Sequence, residues 1–423
     1  MFLSRGRYLK IAVIGTSNSL MKMGWVASLR EMVPAGTVID NYSIGGSASL
    51  YGSFVATRHN IGPSYDFAFL EFAINDQAIL EIQQLTESYI AGSLAALLRH
   101  FAERAAQCVP IVVIMPIRDA VSHQRRDTTY NITRKLCEHY GVHYIDLYRP
   151  LRSILQNHTL DISSWFSDPM HMSISAQAAL AKVARKTLDT PLPHLKPSRQ
   201  LLSDAPYCFA IPEVDLVFPS ATKRIVGTSL IQHEVWSIGP GDYGHIRNAP
   251  WICGIVHWAD EASGALCFRS SEPQVQWAIR VFADKVRALV SKANVGAETK
   301  KRLQSRLKKA VKKKWVRRFG LTHFTTPFKA FGGTTRMRFG DLKNYPFEKH
   351  WGLPRERSLE GTRADIVGLV ASDRDPVAVG ELLLIKLGGA KTPPDTDLLR
   401  LDLEIEMLLL EVSCSVRAAL EPP

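Results

Sequence analysis

Four short stretches of this chain put hydroxyl, amide, carboxylate and imidazole groups at points where an apolar run gives way to a turn. Ser17 lies in Ile11-Ala12-Val13-Ile14-Gly15-Thr16-Ser17-Asn18-Ser19, a strand-like run that breaks at glycine and leads into a helical pattern. A hydroxyl there can stand at the edge of a sheet with its own N–H at the positive end of the following helix, a suitable place for a nucleophile. A helix cap accounts for the same serine. Asn41-Tyr42-Ser43-Ile44-Gly45-Gly46-Ser47-Ala48 follows a second run, and paired glycines let the backbone approach a ligand and aim an N–H at it, or simply turn the chain. Asn75, in Phe69-Leu70-Glu71-Phe72-Ala73-Ile74-Asn75-Asp76, could donate its amide to a developing oxyanion. An Asx-turn or cap is its alternative role. In Trp165-Phe166-Ser167-Asp168-Pro169-Met170-His171-Met172, Asp168 and His171 lie within one turn of each other, close enough for the acid to set the tautomer and orientation of the base.

The elements that must carry these residues alternate short apolar runs with helical patterns, as in an α/β parallel sheet covered by helices on both faces. Strands are predicted at Lys10 to Ile14, Thr37 to Asp40, Phe67 to Leu70, Ile111 to Met115 and His143 to Asp146. Helices are predicted at Leu20 to Met32, Ala78 to Gln107 with an interruption, Arg125 to Tyr140 and Ser175 to Leu188. Five strands with short connections suggest a flavodoxin-like order, with reactive groups gathered beyond the carboxyl ends of the strands. The periodicity stops in a connector over 191–206 containing Pro191, Pro193, Pro197 and Pro206, which separates a catalytic domain over 1–190 from a β-rich second domain over 207–423. Glu234 to Ile238, Ile252 to Trp258 and Ala265 to Arg269 read as strands, as do Ala364 to Ala371, Ala378 to Leu387 and the alternating Leu399 to Ile405. A β-sandwich-like arrangement fits them. Six of the eight tryptophans lie beyond the connector, where they would serve as core or as a platform for stacking sugars.

With 423 residues, 46% hydrophobic and 22% charged, the chain can bury one or two sizeable cores. The six cysteines form no C-x-x-C pair and read as reduced, buried apolar residues. No apolar run reaches the length of a membrane span, and the first residues lack the features of a secretory signal, so a cytoplasmic location is expected. The net charge of +12 is concentrated. Helical patterns at Val275 to Ala293 and Ala297 to Arg318 form a basic insertion, about 275–318, in which residues 300–318 carry eleven positive charges and no acid. Like charges spaced i,i+4 repel, so Lys308, Lys309, Lys312, Lys313 and Lys314 are candidates to bind an anionic surface or polymer; a solvated helix face is the alternative.

The four blocks, taken in order, resemble the SGNH/GDSL hydrolase family over about residues 8–190. Gly15-Thr16-Ser17 stands where that family has Gly-Asp-Ser, Gly46 of Asn41-x-x-x-x-Gly46 matches its glycine, Asn75 its asparagine, and Asp168-x-x-His171 its last block. The resemblance implies a triad of Ser17, Asp168 and His171, with an oxyanion hole built from Ser17, Gly46 (or its neighbour Gly45) and Asn75. It further implies a serine esterase that needs no cofactor and no metal, acting on an O-acyl ester, O-acetyl among the candidates, of a carbohydrate or lipid. An O-acyltransferase using the same triad in polysaccharide modification, and a non-catalytic binder of anionic polymers or membrane surfaces, are the competing functions. Thr16 for aspartate and Ala73 for glycine depart from the family pattern, and altered packing or substrate access is expected of them.

Overall fold

The computed structural model describes residues 8–81, 85–104, 107–122, 127–157, 162–190, 192, 204–211, 216–217, 221–228, 230–239, 242–246, 251–259, 265–269, 276–280, 318–328, 335–339 and 363–389. The chain forms two compact units, one of Met1–Cys208 with Asp375–Pro423 and one of Phe209–Arg374.

The first unit is built on β1 (Lys10–Gly15), β2 (Val38–Asn41), β3 (Phe67–Glu71), β4 (Val109–Ile114) and β5 (His143–Asp146). They form a parallel sheet in the order β2-β1-β3-β4-β5. Ile11 to Ile14 and Ile111 to Ile114 are almost wholly buried, as expected of central strands covered on both faces. The helices are α1 (Trp25–Met32), α2 (Ser49–Arg58), α3 (Ala73–Glu81), α4 (Glu87–Arg104), α5 (Arg118–Ser122), α6 (Thr128–Tyr140), α7 (Tyr148–Asn157) and α8 (Ile174–Asp189). A short antiparallel pair, β6 (Phe166–Asp168) and β7 (His171–Met172), precedes α8. The expected interruption of the long helix separates α3 from α4. The helices α2, α5 and α7 are not among those expected from the sequence. In α2 all but the last two residues are buried, so its sequence carries no polar stripe by which a helical period could be read.

The helix expected from Leu20 begins only at Trp25. Residues Asn18–Leu20 form a single 3-10 turn, and a Cβ on Gly24 would lie 2.6 Å from the Gln177 side chain and 2.9 Å from Met21. Ser17 therefore does not stand at the end of a long helix.

The second unit is β-rich and antiparallel. One sheet orders Thr222–Gly227, Gln232–Ile238, Ala364–Ser372, Trp251–Ala259 and Arg318–Phe328, with Cys208–Ala210 also paired to Ala364–Ser372. The other orders Gln276–Arg280, Ala265–Arg269, Thr335–Phe339, Tyr243–Ile246 and Leu216–Val217. Residues 276–280 correct the helix expected from Val275. Val275, Trp277 and Ile279 alternate with Gln276, Ala278 and Arg280, a period of two that favours a strand. Arg318, expected to end a helix, opens a strand. Residues 281–317, with all five candidate lysines, lie outside the described residues, as do Leu399 to Ile405.

The run expected as a strand at Ala378 to Leu387 is instead a helix, α9 (Pro376–Gly389). The Asp375 carboxylate accepts the Val377 N–H at 2.9 Å, and proline follows it at the first helical position, a favourable start for a helix. Val379, Leu383 and Leu387 are buried at a spacing of four. Although the sequence places this segment in the second domain, α9 packs on α4 within the first unit. A Cβ on Gly92 would lie 2.0 Å from the Pro376 carbonyl oxygen, and one on Gly380 1.7 Å from that of Ser88. The two backbones therefore meet where neither helix has a side chain.

Candidate active site

β1 ends at Gly15, whose hypothetical Cβ would fall 2.7 Å from Ser19 Oγ and 3.0 Å from the Glu71 backbone. Only glycine lets the chain leave the sheet this close to β3. Thr16, fully buried, donates its backbone N–H to Glu71 Oε2 at 3.0 Å, and its hydroxyl lies 2.8 and 3.0 Å from the two carboxylate oxygens. Ser19 Oγ donates to the same carboxylate at 3.0 Å and accepts the Trp25 indole N–H at 3.2 Å. Ser17, held between these anchors, makes no capping bond with its side chain.

The Ser17 hydroxyl lies 2.8 Å from His171 Nε2. On the other side of the ring, Nδ1 lies 2.8 and 2.9 Å from the Asp168 carboxylate oxygens. A carboxylate only accepts, so Nδ1 carries the proton and Nε2 of the neutral imidazole presents a lone pair to the serine O–H. Asp168 itself is fixed by a local turn, its Oδ1 accepting the N–H groups of Met170 at 2.8 Å and His171 at 2.9 Å. Partial burial raises its pKa, but the Met170 N–H, the His171 side chain and the His171 N–H outweigh this and hold the carboxyl below its ordinary value. The turn is tied to the start of α5 by the Arg118 N–H, which donates to the Pro169 carbonyl at 3.0 Å.

After β2, Asn41 donates its amide to the Ser19 carbonyl at 2.7 Å and accepts the Ser43 N–H. The Ile44 N–H donates to the Gly15 carbonyl at 3.1 Å, and Ser47 Oγ is within reach of the Gly15 and Ile44 carbonyls at 3.2 and 2.9 Å. These bonds hold the diglycine against the serine turn. A Cβ on Gly45 would lie 3.8 Å from Ser17 Cβ. Gly46, with φ of +73°, takes the left-handed conformation that disfavours other residues. Asn75, in the first turn of α3, is buried and donates Nδ2 to the Ser47 carbonyl at 2.9 Å. It bonds across the fold rather than capping its own helix.

Four groups escaped the sequence reading: Glu71, Asn18, Gln177 and Asp76. Burial pushes the Glu71 pKa up to about 7, against the lowering effect of the Thr16 and Ser19 bonds, and the charge of Asp76 adds to the rise. Asp76, which accepts the Ser49 N–H at 3.0 Å, is likewise raised by burial to about 7. Glu71 is visible in retrospect as the sole charged residue of an otherwise apolar strand, Phe67–Glu71. It also accounts for Thr16. A hydroxyl there donates to the buried carboxylate, whereas aspartate would set two carboxylates against each other.

Residues 15–179 match the model of the GDSL-like Lipase/Acylhydrolase family. No curated protein sequence matches the chain. Among solved structures, a two-domain esterase active on acetylated mannans, co-crystallised with mannopentaose, shares 12% identity with a TM-score of 0.56, covering 87% of this chain and 93% of its own. A catalytic mutant of the acetylxylan esterase Axe2 from Geobacillus stearothermophilus shares 14% identity with a TM-score of 0.36, covering 47% of this chain and 100% of its own. The Ser17–His171–Asp168 array lies wholly within the stretch 15–179 that is similar to this family.

Proposed function

We propose that the first unit is a serine esterase that removes an O-acetyl group from a carbohydrate through an acyl-enzyme on Ser17. The continuous array Ser17 Oγ, His171 Nε2, His171 Nδ1 and Asp168 carboxylate, with both links at 2.8 Å, carries this reading. His171 takes the serine proton as Oγ attacks the acyl carbon, then delivers it to the departing sugar hydroxyl. Water, deprotonated by the same imidazole, releases the acid and restores the serine. Asp168 keeps the tautomer and stabilises the imidazolium. The negative oxygen of each tetrahedral intermediate is bound by the N–H groups of Ser17 and Gly46 and by the Asn75 amide, which has a second N–H beyond the one given to Ser47. The carbohydrate assignment is supported by the two-domain fold shared with the mannan-active esterase.

Labelling with a fluorophosphonate, followed by peptide mapping, tests the nucleophile. Ser17 is the expected adduct, and Ser17→Ala is expected to abolish both labelling and turnover of acetylated manno- and xylo-oligosaccharides. Labelling that survives the substitution would overturn the assignment. Acyl transfer to an added sugar, in preference to release of free acetate, would replace the esterase reading by that of a transferase.

A further inference from the structure

The two halves of the catalytic pair come from opposite ends of the first unit, 154 residues apart in sequence, and β6 and β7 form only a two-stranded ribbon. Nothing in so small a ribbon fixes its distance from the serine. Asn18, the residue after the nucleophile, supplies the missing link. Its side chain is 1% exposed. Nδ2 donates to the Met170 carbonyl at 3.1 Å, and Oδ1 accepts the Met172 N–H at 3.2 Å. The amide thus grips the backbone immediately before and immediately after His171. Both bonds are used in complementary fashion, one given and one received, so the grip has a single orientation.

Gln177, fully buried in the first turns of α8, backs the grip. Its Nε2 lies 3.2 Å from the Met172 carbonyl and 3.4 Å from Asn18 Oδ1, while its Oε1 accepts the Trp25 N–H at 3.0 Å. The hydrogen bonds of the Asn18 and Gln177 side chains go to backbone groups, to each other and to Met21, not to the serine hydroxyl or the imidazole.

We infer that Asn18 is a positioning residue that sets the Ser17–His171 hydrogen bond by clamping the peptide segments on both sides of the histidine, with Gln177 as its buttress. The inference rests on the proposed roles of Ser17 and His171. Asn18→Ala removes both clamp bonds while Ser17, His171 and Asp168 keep their own side chains. Asn18→Asp keeps the acceptor for the Met172 N–H but turns the donor facing the Met170 carbonyl into a second acceptor, so it retains half the clamp. An ångström of misplacement at a reacting pair costs on the order of 10²-fold in rate.

The experiment combines a crystal structure of Asn18→Ala with kinetics of both variants on an acetyl ester and their fluorophosphonate labelling rates. The expected result is a Ser17 Oγ–His171 Nε2 separation opened beyond hydrogen-bond reach, kcat lower by about 10²-fold with KM little changed, labelling slowed in parallel, and Asn18→Asp intermediate. An unchanged separation, or wild-type kcat in Asn18→Ala, overturns the clamp. Should the wild-type protein fail to label at Ser17, the esterase reading falls, and the structural comparison alone then decides whether Asn18 holds the histidine.

Discussion

Asn75→Ala separates two jobs that meet in one side chain. The amide donates Nδ2 to the Ser47 carbonyl at 2.9 Å in a buried setting, and in the proposed mechanism its other N–H binds the oxyanion. Losing the first bond leaves a buried carbonyl without that donor, which costs about 1–2 kcal/mol of stability. For a unit of this size that is a fall of roughly 2–8 °C in melting temperature. Losing the second removes an interaction made chiefly with charge that exists only in the transition state, so kcat falls on the order of 10² to 10³-fold while KM hardly moves. Stability alone cannot produce that loss, because a protein that still melts well above the assay temperature remains almost entirely folded. The assay is kcat, KM and melting temperature on one preparation, with fluorophosphonate labelling expected to slow as well. A lower melting temperature with unchanged kcat would refute the oxyanion role and leave Asn75 as a strut for the diglycine loop.

Glu71, raised in the folded state from 4.5 to about 7, binds its proton more tightly folded than unfolded. Its contribution is therefore fully present below about pH 4.5 and lost as pH rises to about 7, a difference of roughly 3 kcal/mol. In urea unfolding between pH 4.5 and 8, Glu71→Gln is expected to gain stability relative to wild type as pH rises, and a pH-independent difference between the two proteins would contradict the assignment. For the basic segment, the protein is expected to bind heparin at low salt and release it as salt screens the charges. Glutamine at Lys308, Lys309, Lys312, Lys313 and Lys314 should remove that binding without altering turnover of a small neutral ester, and absence of binding at low salt would leave the segment as a solvated face.

The first unit was legible wherever burial leaves a trace in residue type. β5 runs from His143 to Asp146 as expected, and β1 and β3 each extend one residue further, to Gly15 and Glu71, because runs of Val, Ile and Phe flanked by turns have few alternatives. Where burial erased the trace, the reading failed. The largely buried α2 has no polar face, and α9 is so apolar that helix and strand share the same composition; only the fourfold spacing of Val379, Leu383 and Leu387 tells them apart. Residues 276–280 failed in the opposite way, since a period of two was taken for the start of a helix.

Of the candidate site, the sequence marks the groups proposed to react but not those that hold them. Ser17, Asp168 and His171 stand at turns after apolar runs, where local spacing exposes them. Glu71 and Asn18 bond partners 52 to 159 positions away in sequence, and Gln177 reaches Trp25 and Asn18 across 152 and 159 positions, and no local spacing records such a bond. The turn carrying Ser17 shows how much rests on them: Glu71 holds Thr16 and Ser19, Asn41 holds Ser19 from β2, and Asn18 reaches across to the histidine loop. Thr16 fits this scheme. A hydroxyl beside Ser17 can donate to the buried Glu71 carboxyl in either of its protonation states, since even a protonated carboxyl keeps an oxygen free to accept. An aspartate at 16 would set a second buried carboxyl against that of Glu71, and the two could stay side by side only by sharing a proton.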